Sequence, residues 1–290
     1  MFSAYLIHLL IIIGIFLILA ISLNLTIGYT GLLNLAHIAF FGIGAYTSAL
    51  LALQGYPWLI CFFSGGVLAA LLSFVLIFVT KNLKGDYLAL TTLGFAFVVY
   101  SVLLNWTDLT RGPLGIPGIP KPKIDGLNFW SNNVYLILVI VVAVIIYLIL
   151  YRLVKSRYGR LLEGVRDNEI GLAVLGKNTF RLKYQSMMLA AFFAGLAGSL
   201  YAHYITYIDP STFYLEDIIL VITIVIVGGL ASLRGTVIAT FIIILIPEAL
   251  RFVDLPSSVL GPGRRIIYGL ILILILLYKP RGIDGKVDLE

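Results

Sequence analysis

The chain has 290 residues, of which 61% are hydrophobic and only 12% charged, and its mean hydropathy is +1.06. Soluble globular domains carry about 25% charged residues, so this composition excludes that class and indicates an integral membrane protein. The formal net charge of +6 does not indicate a nucleic-acid partner, because the basic residues lie between apolar runs without interleaved aromatic residues. We expect one polytopic, all-α membrane domain over residues 1–290, surrounded by membrane lipid.

The first apolar run, residues 5–27, would rise about 34 Å as a helix and would cross the hydrocarbon core with some tilt. No basic residue precedes it, so we expect a retained span rather than a cleaved signal peptide. It ends in the stretch GYTGLLNLAH (28–37), which contains two glycines, Asn34 and His37. Irregular backbone at membrane depth must face protein or a water-filled path, so this stretch is a candidate part of such a path.

Eight further apolar runs predict a helical bundle of about nine spans with glycine-interrupted segments. The runs are residues 37–53, 58–80, 88–105, 134–151, 184–204, 216–227, 236–253 and 265–278. Between two of them, residues 106–133 are rich in Gly and Pro, which excludes a helix or a central strand and predicts an ordered external loop. A second glycine-interrupted stretch, VGGLASLRG, occupies residues 227–235.

Residues 152–183 interrupt the apolar pattern with a strongly charged segment. It cannot lie in hydrocarbon, where each unpaired charge costs about 2.5–3.5 kcal/mol. Leu161, Val165, Leu172 and Leu175 fall on one face of a predicted helix, which indicates an amphipathic docking element. The alternative is a loop that only sets topology. The charged residues are Arg152, Lys155, Arg157, Arg160, Arg166, Lys177, Arg181 and Lys183, with Glu163, Asp167 and Glu169 as the acids.

The distribution of basic residues predicts the orientation, because Lys and Arg favour the cytoplasmic side of a membrane. We expect a multi-pass protein of the plasma (inner) membrane with an external N-terminus and a cytoplasmic C-terminus. Arg264 and Arg265 oppose this assignment. The predicted cytoplasmic side holds 14 of the 20 basic residues: the eight of residues 152–183, Lys81, Lys84, Arg234, Lys279, Arg281 and Lys286.

The sequence offers little support for catalysis. The stretch GLAVLGKN (171–178) approaches a phosphate-binding loop, but Asn178 stands where a hydroxyl must hold magnesium and no strand pattern precedes it. The three histidines lie on separate spans without carboxylate or cysteine neighbours, so no metal site is predicted. We find no paired nucleophile and base, and we therefore expect neither an enzyme nor a bound cofactor.

Glu248 is the one carboxylate that we single out within a predicted span. It lies three residues before Arg251, so an internal ion pair is plausible. The alternative is proton coupling in a secondary carrier, which would be expected to keep several such carboxylates.

Seven segments in order along nearly the whole chain match the pattern of one family. They are Asn24, Leu25, Gly28, Tyr29, Gly31 and His37; FFGIGAY (40–46); GDYLAL (85–90); TRGPLGI (110–116); SRYGR (156–160) with Arg166, Asn168, Glu169, Gly176, Asn178 and Arg181; Gly228, Gly229, Ser232, Leu233 and Gly235; and Pro280, Arg281, Gly282 and Gly285. Together they resemble the M-type permease subunits of branched-chain amino acid ABC importers. The chain departs from that pattern at Asn34, Ala36, Ile38 and Lys177.

The resemblance implies one permease of an ATP-driven importer that also contains a second permease subunit, two cytoplasmic ATPase subunits and an external substrate-binding protein. The cargo implied is a branched-chain amino acid, a small-molecule substrate, and the alternative cargo is urea or a short amide. A proton-coupled secondary carrier is a further alternative function. The residues expected to couple to the ATPases are Gly159, Arg160, Arg166, Asn168, Glu169, Gly176, Asn178 and Arg181. The glycine-interrupted stretches predict a translocation path bordered by Asn24, Gly28, Gly31, Asn34, His37, Gly228, Gly229 and Ser232.

Overall fold

The computed structural model describes residues 2–81, 83, 85–124, 127–129, 131–248, 257–279 and 281–285. These residues are mostly helical, because helices satisfy their backbone hydrogen bonds internally and so suit apolar sequence in hydrocarbon. The helices are α1 (Phe2–Asn24), α2 (His37–Leu53), α3 (Trp58–Val79), α4 (Gly85–Asn105), α5 (Thr107–Thr110), α6 (Asn132–Lys155), α7 (Arg157–Val174), α8 (Thr179–Ile205), α9 (Leu215–Gly228), α10 (Leu233–Glu248) and α11 (Ser257–Tyr278).

In the part of the chain that the structure describes, six helical segments are long and apolar enough to cross a membrane: Ala4–Tyr29, Trp58–Val79, Gly85–Asn105, Asn132–Lys155, Thr179–Ile205 and Pro210–Gly228. Three further apolar helices, His37–Leu53, Leu233–Ile246 and Ile266–Ile275, have only 10–17 residues. The expected count of about nine spans is therefore not confirmed, since a perpendicular span needs about 20 apolar residues. The predicted end of one run at residue 253 lies outside the described residues.

The centre of the bundle is α8, which is buried along most of its length. Its small residues lie against α2 and α3: a Cβ added at Gly195 would be 2.6 Å from the Gly65 carbonyl oxygen and 2.9 Å from the Ala69 Cβ. Small side chains let membrane helices approach closely, so the sequence AGLAGS (194–199) forms a packed three-helix contact.

The loop 106–133 is ordered where the structure describes it. Contrary to expectation it contains a one-turn helix, α5, together with a 3₁₀ turn (Gly112–Leu114) and three two-residue strands: β1 (Ile116–Pro117), β2 (Lys123–Ile124) and β3 (Leu127–Asn128). The strand β1 pairs antiparallel with β4 (Tyr207–Ile208), which directly follows α8. His203 of α8 donates from Nδ1 to the Pro120 carbonyl at 2.6 Å. The loop is thus bonded to the end of α8.

Candidate functional site

The charged segment forms α7, which begins at a sharp corner after α6. The Ser156 side chain accepts hydrogen bonds from the backbone amides of Tyr158 and Gly159 and so caps the new helix. A Cβ at Gly159 would overlap the Val154 carbonyl, so the corner requires glycine there. Burial raises the pKa of the Tyr158 phenol to about 12, which keeps this packed side chain neutral.

A kink at Asn168 divides α7 into two parts. Asn168 has φ −155° and ψ 88°, outside the helical region, and its side-chain oxygen accepts a hydrogen bond from the Gly171 amide at 2.8 Å. This is the geometry of a helix N-cap, so the chain starts a second short helix at Glu169. The kink gives the two parts of α7 different directions and different neighbours.

Three of the four residues on the apolar face predicted to dock onto a partner are instead packed against the chain itself. Val165 is buried, while Leu161 and Leu172 lie partly buried against the hydrophobic core. For these three residues the prediction was wrong because the helical period identifies an apolar face without identifying the surface that covers it. Leu175, the fourth residue of the predicted face, is exposed. It lies near the end of α7 with two further exposed apolar residues, and we call these three the apolar tip: Ile170, Val174 and Leu175, with 72%, 82% and 75% of their surfaces exposed.

A turn at Gly176 joins α7 to α8. Gly176 has φ +75°, its amide donates to the Ala173 carbonyl at 2.9 Å, and the Lys177 amide donates to the Leu172 carbonyl at 3.2 Å. These two bonds form a Schellman motif. A Cβ at Gly176 would meet no atom within 4 Å, so glycine is favoured here by the backbone conformation and not by lack of space. Asn178 then caps α8 by accepting from the Arg181 amide at 2.9 Å.

Arg166 connects the first part of α7 to α1. Its Nη1 donates to the Gly28 carbonyl at 2.8 Å, and its Nε donates to Asp167 Oδ1 at 2.8 Å. Gly28 lies in a π-helical turn, Leu25–Tyr29, that ends α1. The Arg166 stem also lies against Gly31, where an added Cβ would be 2.9 Å from Cγ. A residue predicted for coupling therefore contacts two residues predicted for the path.

Glu169 connects the second part of α7 to α8. Its carboxylate forms an ion pair with Lys183 at 2.6 Å and accepts a hydrogen bond from the Thr179 hydroxyl at 3.2 Å. Lys183 is buried, and neither side chain of the pair exposes more than 23% of its surface. In the sequence, Lys183 indicates only which side of the membrane the charged segment occupies. Its place at the start of an apolar run was the available indication that it needs a buried partner.

A cavity of about 290 Å³ lies beside these two connections. It is bounded by α7, the start of α4, the start of α8 and the turn after α1. Its polar lining comes from Thr30, Arg166, Asn168, Glu169 and Lys183. The structure thus brings three predicted coupling residues next to Gly31 and Thr30, whereas Arg160, Asn178 and Arg181 lie exposed at the surface.

Asn24 fastens the end of α1 to the turn between α9 and α10. Its side-chain amide donates to the Ser232 carbonyl at 3.1 Å and to the Thr236 hydroxyl at 2.6 Å, and its oxygen accepts from the Ala231 amide at 3.1 Å. Gly28 lies in the same contact, since an added Cβ would overlap both the Asn24 side chain and the Ala231 amide. Asn24 and these three hydrogen-bonding partners are all buried.

Residues 281–285 cover the second glycine-interrupted stretch. The Asp284 amide donates to the Gly228 carbonyl at 3.1 Å, and the Asp284 carboxylate accepts from the Ser232 hydroxyl at 2.7 Å. Gly229, with φ +101°, has the backbone of Gly285 where a Cβ would lie. The predicted path residues of this stretch are therefore closed off by the chain's own backbone.

Asn34, in the turn after α1, and His37, the first residue of α2, are fully buried. His37 Nε2 donates towards the Leu19 carbonyl at 3.1 Å and the Ser22 hydroxyl at 2.9 Å. Among the described residues, neither Asn34 Nδ2 nor His37 Nδ1 has a hydrogen-bond partner. Within the same residues there is no group of three or more His, Cys, Asp or Glu that could hold a metal ion.

Glu248 lies at the far end of α10 and lines a cavity of about 250 Å³. Its carboxylate accepts a hydrogen bond from the Tyr5 hydroxyl at the start of α1. The ion pair expected with Arg251 falls outside the described residues.

The chain is similar in sequence to known membrane transport proteins. The family described as the permease component of branched-chain amino acid transport systems matches residues 5–276. The high-affinity branched-chain amino acid transport system permease protein LivM of Escherichia coli K12 is 33% identical over 93% of this chain and 67% of its own length. The probable LivM protein of Methanocaldococcus jannaschii is 26% identical over 93% and 90%. The nucleoside ABC transporter permease protein NupC of Lactococcus lactis is 26% identical over 61% and 60%. No solved structure matches the chain.

Proposed function

The chain belongs to the family of permease components of branched-chain amino acid transport systems, and on this premise we propose that it is one permease subunit of an ATP-driven importer. It forms half of the translocation path. A second permease subunit, two cytoplasmic ATPases and an external binding protein complete the transporter. The resemblance of the sequence to this family is confirmed by the match to residues 5–276.

The observation that supports coupling to an ATPase is the presence of the apolar tip on an otherwise charged segment. Ile170, Val174 and Leu175 are each more than 70% exposed. Large apolar side chains exposed together mark protein contacts, and they cannot enter lipid here because Arg160, Lys177 and Arg181 lie nearby in the chain. We assign this tip as the surface that an ATPase subunit covers.

Two connections transmit movement of the tip into the bundle. The Glu169–Lys183 ion pair joins the second part of α7 to α8, and the Arg166–Gly28 hydrogen bond joins the first part to α1. A rigid-body shift of the ATPase therefore displaces α1 and α8 rather than being absorbed by a slack loop.

We place the path beside Thr30 and Gly31, which line the polar cavity next to these connections. Asn34 and His37 each contribute one buried nitrogen atom that lacks a partner among the described residues, and such atoms can bond water or a polar substrate. The closed cluster of Asn24, Gly28, Gly228, Gly229 and Ser232 borders the path only when the turn between α9 and α10 opens.

The proposed orientation places α7 in the cytoplasm and residues 106–133 outside. It rests on the concentration of basic residues at α7, and it puts the C-terminus in the cytoplasm. A protease site inserted after Gly118 should be cut in intact cells, whereas a C-terminal epitope should remain protected. The reverse result would remove the basis for ATPase docking on α7.

Branched-chain amino acids are the proposed cargo, because the LivM relatives are permease proteins of branched-chain amino acid transport. The relatives NupC and the guanosine permease NupQ make nucleosides a second candidate. The test is uptake of labelled leucine by cells expressing the chain with its partner subunits, competed by isoleucine, valine, guanosine or urea. We expect only the aliphatic amino acids to compete. Uptake should stop when the ATPases are inactivated, while uptake that instead collapses with the proton gradient would identify a secondary carrier.

A further inference from the structure

An open groove of about 690 Å³ runs along the outside of the bundle between α1, α6 and α10. Its walls are almost entirely apolar. They are formed by Leu10, Ile13, Gly14 and Leu17 of α1, by Leu136, Ile140, Ala143, Val144 and Tyr147 of α6, and by Arg234, Val237, Ile238 and Phe241 of α10. Arg234 is the one charged residue of this lining.

The length of the groove matches one leaflet of a membrane. Along α6 its lining extends from Leu136 to Tyr147, which is roughly 16 Å of helix. Half of a hydrocarbon core about 30 Å thick is about 15 Å. The groove therefore accommodates an acyl chain from one leaflet, lying parallel to the helices.

Among the described residues that line the groove, the phenol of Tyr147 and the guanidinium of Arg234 are the polar side chains, and further polar and basic residues lie beside them. Tyr147 and Tyr151 stack with their ring centroids 6.0 Å apart, and Lys155 donates to the Tyr151 hydroxyl. Arg234, which is exposed, faces the same hydroxyl from α10. Neither Lys155 nor Arg234 takes part in the ion pairs between described residues.

We propose that this groove binds an anionic phospholipid of the inner leaflet. The acyl chain lies between α1, α6 and α10, and the phosphate lies between Arg234 and Lys155 with the Tyr151 hydroxyl as a further donor. Basic pockets between membrane helices on the cytoplasmic side recognise such headgroups, and tyrosines are enriched at that depth. A second permease chain filling the groove would have to leave two cations at its end without anionic partners or supply acids for them.

The site does not depend on the cargo or on ATPase docking, so it can fail while the proposed function holds. The protein is placed in vesicles of equimolar phosphatidylglycerol and phosphatidylcholine, one of which carries a photoreactive diazirine in its acyl chain. After illumination, labelled peptides from α6 and α10 are quantified by mass spectrometry. We expect phosphatidylglycerol to label them at least about fivefold more than phosphatidylcholine, the preference that one cation confers on an anionic headgroup.

Two pairs of variants separate the headgroup from the acyl chain. Replacing Arg234 and Lys155 together by Gln should remove the preference for phosphatidylglycerol, while Arg152→Gln, on the same last turn of α6 but outside the groove, should retain it. Ile238→Trp should fill the groove and lower labelling by both lipids. The matched control is Ile137→Trp, because Ile137 lies on α6 outside the groove and exposes 62% of its surface.

The labelling ratio of the unaltered protein decides the proposal even where a variant fails to fold. Equal labelling by the two lipids overturns it, as does a preference that survives loss of both cations. A photocrosslinking residue at position 238 supplies the remaining test in the assembled transporter. Capture of a permease chain there, in place of lipid, would make the groove a subunit interface and would also overturn the proposal.

Discussion

Arg166 of α7 and Gly28 of the turn that follows α1, far apart in sequence, are joined by a hydrogen bond from the guanidinium Nη1 to the backbone carbonyl at 2.8 Å. The carbonyl lies in a π-helical turn, a feature that is rare in helices and often found at functional sites. A hydrogen bond to a charged group contributes about 1.5–3 kcal/mol to stability. This bond is the most direct link between the charged segment and the predicted path.

The first prediction concerns this bond. Arg166→Gln shortens the side chain and removes its charge, so α7 should move without displacing α1. A loss of about 1.5 kcal/mol of coupling corresponds to roughly a tenfold decrease in uptake per ATP hydrolysed. Uptake and hydrolysis are measured together in the assembled transporter. Arg160→Gln, on the exposed side of the same helix, should leave the ratio unchanged, and equal ratios in both variants would refute the coupling role.

The second prediction concerns the apolar tip. Replacing Ile170, Val174 and Leu175 together by Ser should leave the thermal stability of the permease unchanged, because the three side chains are exposed. The ATPase subunits should no longer co-purify. Leu162→Ser is the opposite case, since Leu162 is fully buried and its replacement should destabilise the protein by about 2–5 kcal/mol. Normal assembly and uptake by the triple variant would show that the tip does not contact an ATPase.

The third prediction concerns the turn at Gly176. Gly176→Val forces a β-branched residue into the left-handed region and should destabilise the turn by about 1–2 kcal/mol or more. Gly176→Asn should be milder, because Asn tolerates that conformation. Gly94→Ala, in α4 with no atom near its added Cβ, should not destabilise the protein. Thermal unfolding of the three variants tests this order, and equal effects of Val and Asn would contradict it.

The fourth prediction concerns the pair formed by Glu169 and Lys183. Glu169→Gln leaves a buried lysine without its counter-charge and should cost about 1–3 kcal/mol, less than for a fully buried pair because Glu169 is 23% exposed. The exchanged variant, Glu169→Lys with Lys183→Glu, should recover part of this stability. The free energies of unfolding of Glu169→Lys, Lys183→Glu and the exchanged double variant together give the coupling energy of the pair. Strict additivity would mean that the pair contributes nothing to joining α7 and α8.

The fifth prediction concerns the path. In a Cys61→Ser background, Thr30→Cys should react with a small water-soluble thiol reagent in the resting protein, because Thr30 lines the polar cavity. Ser232→Cys should react only while ATP is being hydrolysed, because residues 281–285 cover this position in the structure. Asn34→Cys should likewise react only while ATP is being hydrolysed, because Asn34 is fully buried and, unlike Thr30, does not line the polar cavity. If none of the three reacts in either condition, these residues do not border the path.

Much of the helical framework could be predicted from the sequence, because apolar runs bounded by Gly, Pro or charge are local signals. The predicted run at residues 37–53 coincides with α2. The number of membrane-spanning helices was harder to predict, because an apolar run does not reveal whether its helix is long enough to cross a bilayer. The contacts of Arg166 with Gly28 and of Asn24 with the turn before α10 could not be predicted, since each joins segments without a shared local pattern. The covering of α7's apolar face was missed for the same reason.

The helix α8 is bonded at both of its ends, to α7 through Lys183 and to the loop 106–133 through His203. A continuous helix of 27 residues is about 40 Å long and bends little, so a displacement at one end also moves the other end. Linkage between its two ends is then symmetric by thermodynamic necessity. If engagement of α7 alters the affinity of the outer loop for a ligand by some factor, occupancy of that loop alters the affinity of α7 for its own partner by the same factor.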